Sequence, residues 1–121
     1  MGEPIYHCAL ASEWAAAQRA AKYTISSRGR TLEEEGFVHA SYADQVAGVL
    51  LRFYTDVPER LCLLTIDPDR LGSPVVAENL EGGDELFPHI YGPIAIEAVV
   101  EVTELVRDPH SGWRWPAPDP S

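Results

Sequence analysis

The sequence lacks the features that mark several specialised classes of protein. No apolar run approaches the roughly 18 residues that a membrane-spanning helix requires. The first residues show no basic stretch followed by an apolar one, so we expect no signal peptide and a cytoplasmic protein that does not act at a membrane. No repeat or linker divides the 121 residues, which predicts a single domain with its core at about 4–106 and an extended tail at 107–121.

The common catalytic and metal-binding motifs are also missing. The sequence has no Cys-x-x-Cys or His-x-x-x-His pair of the kind that holds zinc, no Gly-x-Ser-x-Gly elbow and no glycine-rich phosphate loop. A zinc site built from three histidines stays open as an alternative, but no ligand spacing supports it. A small hydrolase that uses Ser41 with His39 or His7 is a second alternative, with Asp44 or Asp67 as the third member.

Cysteine is scarce, and its two occurrences fall in apolar, strand-like segments. Cys8 and Cys62 are therefore interpreted as two reduced, buried thiols. A disulfide between them, or a thiolate that takes part in catalysis, are the alternatives. Neither cysteine lies in a motif that favours them.

Basic residues are few relative to acidic ones. The chain has 9 Lys and Arg against 19 Asp and Glu, a formal net charge of −10, and only residues 1–30 carry a basic excess. The whole molecule should therefore repel long nucleic acids. Within the basic stretch, Arg28 and Arg30 are candidates to bind one small anion such as a nucleotide phosphate, or they simply pair with surface carboxylates.

Two helical segments are predicted in the first third of the chain. An alanine-rich segment over about 13–21 has high helix propensity, with Ser12 as its N-cap and Trp14 as the side chain that anchors it to the sheet. A single helical turn follows, capped by Thr31 and ended by Gly36.

The remaining elements complete an α+β pattern with mainly antiparallel strands. Ser41 and Asp44 resemble a capping box for a helix that runs to about Tyr54 and buries one face. Apolar runs predict strands at about 4–8, 37–40, 60–66, 75–78 and 94–106. In the last and longest of these, apolar and acidic residues alternate, which is typical of an antiparallel sheet with one wet face.

Three of the four histidines lie inside short apolar or aromatic segments. These segments are Ile5-Tyr6-His7-Cys8, Gly36-Phe37-Val38-His39-Ala40-Ser41 and Phe87-Pro88-His89-Ile90-Tyr91-Gly92. Histidine titrates near neutral pH, and burying it costs desolvation unless its ring nitrogens find partners. We therefore predict one shared site that includes His7 and His89. The alternative for each of them is a core histidine whose ring nitrogens are hydrogen-bonded within the protein and which has no functional role.

Three other residues join the predicted site because of their position. His39 and Ser41 share a strand face if the strand continues that far, since side chains two residues apart point the same way. Tyr91 lies in the segment that leads into a turn, and small-molecule sites gather at strand ends. Ser41 could instead serve only as a helix cap, although a helix N-terminus also favours anions.

The motifs in this order and spacing resemble the small bacterial family called domain of unknown function 952. The likeness covers about residues 4–106 and is carried by Ile-Tyr-His, Glu-Gly-Phe-Val-His-Ala-Ser, Leu-Thr-Ile-Asp and Phe-Pro-His-Ile-Tyr-Gly-Pro. Residues that also match the family pattern are Trp14, Tyr23, Leu32, Gln45, Glu78 and Val99. Ala40 stands where that family often has a cysteine.

The resemblance implies an ADP-ribosyltransferase-like fold, with two curved antiparallel sheets around a cleft that binds NAD. It implies that His7 bonds a ribose hydroxyl and that Ser41 lines the nicotinamide pocket. In that fold class a strand-borne glutamate stabilises the ribosyl cation, and His89 stands in the corresponding segment here. The function implied is the binding of NAD, as a possible substrate, or of another nucleotide, with His7 and His89 as the catalytic residues if the protein is an enzyme.

Two other functions are consistent with the same residues. Because a histidine replaces the expected carboxylate, a phosphate-directed reaction like that of the RNA 2′-phosphotransferases is one. Arg28 or Arg30 would then hold the phosphate while a histidine transfers the proton. A non-catalytic nucleotide-binding or interaction module is the other.

Overall fold

A computed structural model describes residues 3–27, 30–79, 85–108 and 112–114. It confirms an α+β chain with mainly antiparallel strands. The helices are α1 (Ala11–Ala20), α2 (Leu32–Glu35) and α3 (Val46–Phe53). The strands are β1 (Ile5–Leu10), β2 (Lys22–Tyr23), β3 (Ile25–Ser27), β4 (Arg30–Thr31), β5 (Val38–His39), β6 (Leu61–Ile66), β7 (Val75–Glu78), β8 (Phe87–Ile90), β9 (Ile94–Ala95), β10 (Val99–Glu104), β11 (Val106–Asp108) and β12 (Gly112–Arg114).

Two three-stranded antiparallel sheets organise the fold. The first has the strand order β1-β6-β10, with the predicted strand at 60–66 in its centre, and places His7 opposite Leu64. The second has the order β5-β8-β7 and places His39 opposite His89. Three two-stranded ladders, β2-β9, β3-β4 and β11-β12, complete the described pairing.

A single bridge joins Tyr6 of β1 in the first sheet to Ser41, two residues beyond β5 of the second. The Tyr6 amide donates to the Ser41 carbonyl at 2.8 Å, and the Ser41 amide donates to the Tyr6 carbonyl at 2.7 Å. We call this contact the seam. It brings the segments of His7 and His39 together although 32 residues separate them.

The first sheet is covered on both faces, because alternate residues of β1 and β6 enter different core clusters. Ile5 and Leu64 belong to the cluster that also holds Trp14 of α1. Tyr6 and Leu63 belong to the cluster under α3. Burial on both faces explains why β1 and β6 are almost continuously apolar.

The two early helices confirm most of what was predicted for them. Trp14 is buried in the first cluster, as expected of the anchor of α1. However, α1 begins at Ala11 and no side chain caps it, so the prediction that Ser12 is its N-cap was wrong. For α2 the Thr31 side chain accepts from the Glu34 amide, and Gly36 ends the helix with a φ of 89°.

The capping box predicted for α3 was displaced by one residue. Gln45 Oε1, rather than Asp44, accepts from a backbone amide, that of Tyr42 at 2.9 Å. A short 3₁₀ turn over Ala43–Gln45 then leads into α3. Tyr42 is the N-cap residue, and the Ser41 amide, which a capping box at Ser41 would use, donates in the seam instead.

The long strand predicted at 94–106 is divided into three elements. Ile94–Ala95 pairs with β2, whereas Val99–Glu104 pairs with β6 in the first sheet, so the chain must change direction between them. The 3₁₀ turn Ile96–Ala98 makes that change, and the Ala98 carbonyl accepts from the Asp67 amide at 2.8 Å. The alternation of apolar and acidic residues in the sequence did not reveal that the chain changes its partner strand from β2 to β6.

The segment expected to be an extended tail contains a hairpin formed by β11 and β12. Trp113 packs against the α3 cluster, which confirms that a tryptophan anchors this segment, and Arg107 lies over its ring at 5.2 Å. The Arg107 guanidinium also donates to the carbonyls of Val57 and Thr55. The hairpin therefore closes over the end of α3.

Candidate functional site

His7 lies inside the protein, on the face of β1 that enters the first core cluster. Only 3% of the residue is exposed. Its Nδ1 lies 2.5 Å from the His39 carbonyl oxygen, and its Nε2 lies 3.0 Å from the Tyr23 hydroxyl. Both ring nitrogens are therefore bonded within the protein.

These partners determine the protonation state of His7. A carbonyl only accepts, so Nδ1 carries the hydrogen and the Tyr23 hydroxyl donates to Nε2. Burial lowers the pKa of His7 to about 4, although the bond to the His39 carbonyl opposes this change. The imidazole is consequently neutral at physiological pH and held in one tautomer.

His39 and His89 face each other on the second sheet. The neighbouring Ala40 amide donates to the Pro88 carbonyl at 3.1 Å, so His39 and His89 form the non-hydrogen-bonded pair, in which opposed side chains are closest. Their ring centroids are 5.2 Å apart, with an interplanar angle of 84°. The adjacent residues Val38 and Ile90 point the other way, into the core.

Phe37 and Tyr91 extend this group of rings. Phe37 stacks on His89 with centroids 4.2 Å apart and an interplanar angle of 24°, and it lies 4.8 Å from His39 and 5.5 Å from Tyr91. The His89 side chain is only 3% exposed, whereas Tyr91 is 38% exposed. A ligand would therefore meet Tyr91 and the edges of Phe37 and His39 before it met His89.

Glu78 on β7 supplies a carboxylate to the same group of rings. His89 Nδ1 lies 3.0 Å from Glu78 Oε1, and the Tyr91 hydroxyl donates to the same oxygen. These two donors, Tyr91 first, lower the pKa of Glu78, while the same carboxylate raises the pKa of Tyr91. We call Phe37, His39, Glu78, His89 and Tyr91 the outer-face cluster.

Glu78 is the residue that sequence reasoning left out of the site. In the register of β7 and β8, Glu78 lies opposite Phe87 and two residues along from Val76, which lies opposite His89. Residues two apart share a strand face, so the carboxylate lies diagonally across from His89. Only the match of Glu78 to the family pattern could have indicated it.

The predicted arginine site is only partly described. Arg30 Nη1 lies 3.9 Å from Glu35 Oε2, and Glu35 Oε1 lies 3.6 Å from His39 Nε2. Arg30 is thus connected to the outer-face cluster through Glu35. This contact agrees with the alternative interpretation, in which the arginine pairs with a surface carboxylate. Arg28 lies outside the described residues.

Ser41 and His7 are close to the cluster in the chain but separate from it in contact. Ser41 is buried, and its described bonds are those of the seam. His7 reaches His39 through the backbone carbonyl rather than through the ring. The shared histidine site therefore consists of His39 and His89. His7 lies outside it and contacts only the backbone of His39.

Other parts of the molecule carry no second group of this kind among the described residues. A cavity of about 270 Å³ lies beside α1 and is lined in part by Trp14, Arg60 and Cys62, away from the outer-face cluster. No group of three or more His, Cys, Asp or Glu residues in the described ranges is arranged to hold a metal ion. None of the described helices is long and apolar enough to cross a membrane.

The two cysteines are free and buried, as predicted. Burial raises the pKa of Cys62 to about 11 and that of Cys8 higher still, and the nearby Cys62 adds to the effect of burial at Cys8. The two side chains enter different core clusters on opposite faces of the first sheet. Thiolate chemistry is therefore unfavourable at either residue.

Comparison with known proteins supports the predicted family. A family model described as "Protein of unknown function (DUF952)" matches residues 8–102. No curated protein matches the sequence. The X-ray crystal structure of protein CC0527 from Caulobacter crescentus is 25% identical, with a TM-score of 0.78, and the match covers 92% of this chain and 93% of that one.

Two further structures of protein CC0527 from the same organism agree. A crystal structure of a double mutant is 24% identical with a TM-score of 0.77, over 92% of this chain and 93% of that chain. A solution NMR structure is 26% identical with a TM-score of 0.73, over 90% of each chain. The arrangement of elements described above is thus shared with a protein whose structure was determined both in crystals and in solution.

Proposed function

The chain belongs to the DUF952 family, and we propose that it uses the outer-face cluster to bind the ribosyl part of NAD or of a related ADP-ribosyl compound. The single observation that carries this proposal is the position of Glu78, whose carboxylate is held by His89 and Tyr91 at the edge of a group of aromatic rings. NAD is a substrate or ligand in this proposal and not a resident cofactor.

Glu78 supplies the charge that ribosyl chemistry needs. Cleavage of a glycosidic bond passes through an oxocarbenium-like centre, which a carboxylate stabilises. Both donors meet Glu78 Oε1, and no other donor in the described ranges reaches Oε2. Oε2 is therefore the oxygen that would accept from a ribose hydroxyl, while the lowered pKa keeps the group ionised.

The proposed reaction is transfer of the ribosyl group to water or to another hydroxyl. The C–N bond to nicotinamide breaks, and nicotinamide leaves with the electron pair. The acceptor oxygen bonds to the ribosyl carbon and gives its proton to a nearby base. His39 is the proposed base, because its ring is half-exposed and lies beside the carboxylate of Glu35.

The other ligand contacts follow from exposure and charge. Tyr91 and Phe37 would pack on a flat ring of the ligand, since stacked and edge-on aromatic contacts are favourable. Arg30 would meet a phosphate if it exchanged its partner Glu35 for one. The junction of two antiparallel sheets at the seam supports an ADP-ribosylation-like fold as part of the proposal.

Isothermal titration calorimetry with ADP-ribose and NAD tests the binding. We expect heat with the wild-type protein and at least tenfold weaker binding in Glu78→Gln and His39→Ala. Glu101→Gln is the matched control, because Glu101 is an exposed strand glutamate on β10 of the other sheet. The absence of heat at millimolar ligand, or equal loss in the control, would overturn the proposal.

A non-catalytic nucleotide-binding module is the second candidate function. It is favoured by the burial of His89 and His7, which are already bonded within the chain and would not reach a substrate. Incubation with NAD labelled in the nicotinamide ring separates the two candidates. Release of labelled nicotinamide that is lost in Glu78→Gln supports an enzyme, and binding without release supports the module.

A further inference from the structure

Among the described residues, the pairing between β1 and the segment that continues from β5 is limited to the seam. In an uninterrupted antiparallel ladder, the hydrogen-bonded pair after Tyr6 and Ser41 would be Cys8 and His39. No bridge joins those two residues in the described part of the chain. Instead, the His39 carbonyl accepts from the imidazole Nδ1–H of His7 at 2.5 Å. A side chain thus occupies the place of the missing backbone donor.

Tyr23 closes the space behind this imidazole. Tyr23 is 1% exposed, and its hydroxyl donates to His7 Nε2 at 3.0 Å. Its ring meets the imidazole edge-on with centroids 5.0 Å apart, and it lies 6.4 Å from the Trp14 ring of α1. Tyr23 and His7 are therefore both buried and hydrogen-bonded to each other. They lie between β1 and the neighbouring elements β2 and α1.

We infer that His7 and Tyr23 form a polar wedge that sets the separation of β1 and β5 and thereby positions the His39 ring in the outer-face cluster. The wedge acts through the His39 carbonyl, which belongs to the same residue whose ring faces His89. His7 and Tyr23 are thus positioning residues. The effect of the wedge on a ligand rests on the proposed function, whereas its effect on the strands does not.

The physical reason is that the partly buried His39 carbonyl still needs a donor, and an imidazole is wider than a backbone amide. A strand amide in the place of His7 would draw β5 against β1, whereas the ring keeps the strands apart and still satisfies the acceptor. The Tyr23 hydroxyl holds the ring in the tautomer that donates to His39. Removing that hydroxyl leaves His7 free to turn and should loosen the seam first.

Amide hydrogen exchange on the ligand-free protein tests the wedge. In Tyr23→Phe we expect exchange of the Tyr6 and Ser41 amides to rise at least tenfold more than exchange of the His7 and Leu64 amides, which belong to the β1–β6 ladder. The matched control is Ile5→Val, a buried position on β1 that lacks the polar contact. It should raise all four rates by one common factor, as a general loss of stability does.

A pair of variants at His7 gives a second readout. His7→Asn keeps an amide donor near the position of Nδ1, whereas His7→Leu has similar size and no donor. We expect the seam amides to be protected more in His7→Asn than in His7→Leu. Two results would overturn the wedge. One is an increase in exchange rate by the same factor at all four amides in Tyr23→Phe, and the other is equal exchange of the seam amides in the two His7 variants.

Calorimetry with ADP-ribose separates this inference from the proposed function. Tyr23→Phe should bind ADP-ribose at least fivefold more weakly than Ile5→Val does. If the wild-type protein bound no ADP-ribose, the proposed function would fail, and the exchange experiment alone would decide on the wedge. Selective seam opening together with unchanged ADP-ribose affinity would overturn the link between the wedge and the position of His39.

Discussion

His39 and His89 form a directly opposed pair on β5 and β8, with ring centroids 5.2 Å apart and nearly perpendicular planes. The pair shares one sheet face with Glu78 and Tyr91, and Phe37 covers its more buried member. Two histidines and a carboxylate are therefore held together by the pairing of three short strands.

The stability of the protein should depend on pH through His7. The pKa of His7 is about 4 in the folded protein and about 6.5 in an unfolded chain, so the unfolded chain binds the proton more tightly. Stability from the neutral imidazole is complete above about pH 6.5 and is lost as the pH falls towards 4. The gap between the two pKa values corresponds to about 3 kcal/mol.

Urea unfolding at several pH values, with His7→Asn as the non-titrating control, checks this dependence. Carboxylates also lose stability in acid, so the difference between the two proteins is the informative quantity. We expect the free energy of unfolding of the wild-type protein to fall more steeply between pH 6.5 and 4. Parallel curves for the two proteins would show that His7 is not buried as a neutral group.

The hydroxyl of Tyr91 should control the acidity of Glu78. Of the two donors that lower the pKa of Glu78, Tyr91 has the larger effect. Tyr91→Phe removes this donor, so the pKa of Glu78 should rise. Carbon-detected NMR titration of the Glu78 carboxyl carbon measures it directly. Tyr54→Phe is the control, since Tyr54 is buried in the α3 cluster, and it should leave the Glu78 titration unchanged. An unchanged titration in Tyr91→Phe would contradict the described contact.

Ser26→Ala should destabilise the strand that carries Phe37. The Ser26 hydroxyl is fully buried and donates to the partly buried Phe37 carbonyl at 2.5 Å, so its loss takes this donor from the carbonyl. We expect a loss of about 2 kcal/mol in the free energy of unfolding. Ser12→Ala is the matched control: Ser12 is exposed and caps nothing, so the change should be within about 0.5 kcal/mol. Equal effects would refute the role of Ser26.

Neither cysteine should react readily in the folded protein. With a pKa of about 11 for Cys62, and a higher one for Cys8, thiolate is rare at pH 8. A chromogenic disulfide reagent should react at least about 100-fold more slowly with the native protein than with the protein in denaturant. The single variants Cys8→Ser and Cys62→Ser assign each rate. A fast thiol in the native protein would contradict the burial of that residue.

Local signals in the sequence predicted the elements that short-range interactions determine. The two ends of α2, at Thr31 and Gly36, could be predicted from the sequence. A capping box and a left-handed C-terminal glycine depend only on residues a few positions apart. The apolar run of β6 revealed a central strand for a similar reason, since burial on both faces removes polar residues from it. Trp14 could be recognised as an anchor from its size alone.

The composition of the site depends on pairing between distant segments, which local patterns do not encode. Glu78 meets His89 only because β7 and β8 are paired in one register, and a shift of one residue would turn the carboxylate to the other face. His7 was expected beside the other histidines because its segment looks like theirs. Its ring instead turns towards Tyr23, a contact that depends on how β2 packs against β1.

The carbonyls of Phe37 and His39 on the side of β5 away from β8 are both occupied by side chains, the Ser26 hydroxyl and the His7 imidazole. A strand border that shows free backbone groups can act as a template for another chain, which is a common route to aggregation. At these two positions the acceptors are already used, and the donors lie on β1 and β3, each of which is paired with another strand. The same bonds that shape the candidate site should therefore protect this part of the sheet from association with a second molecule.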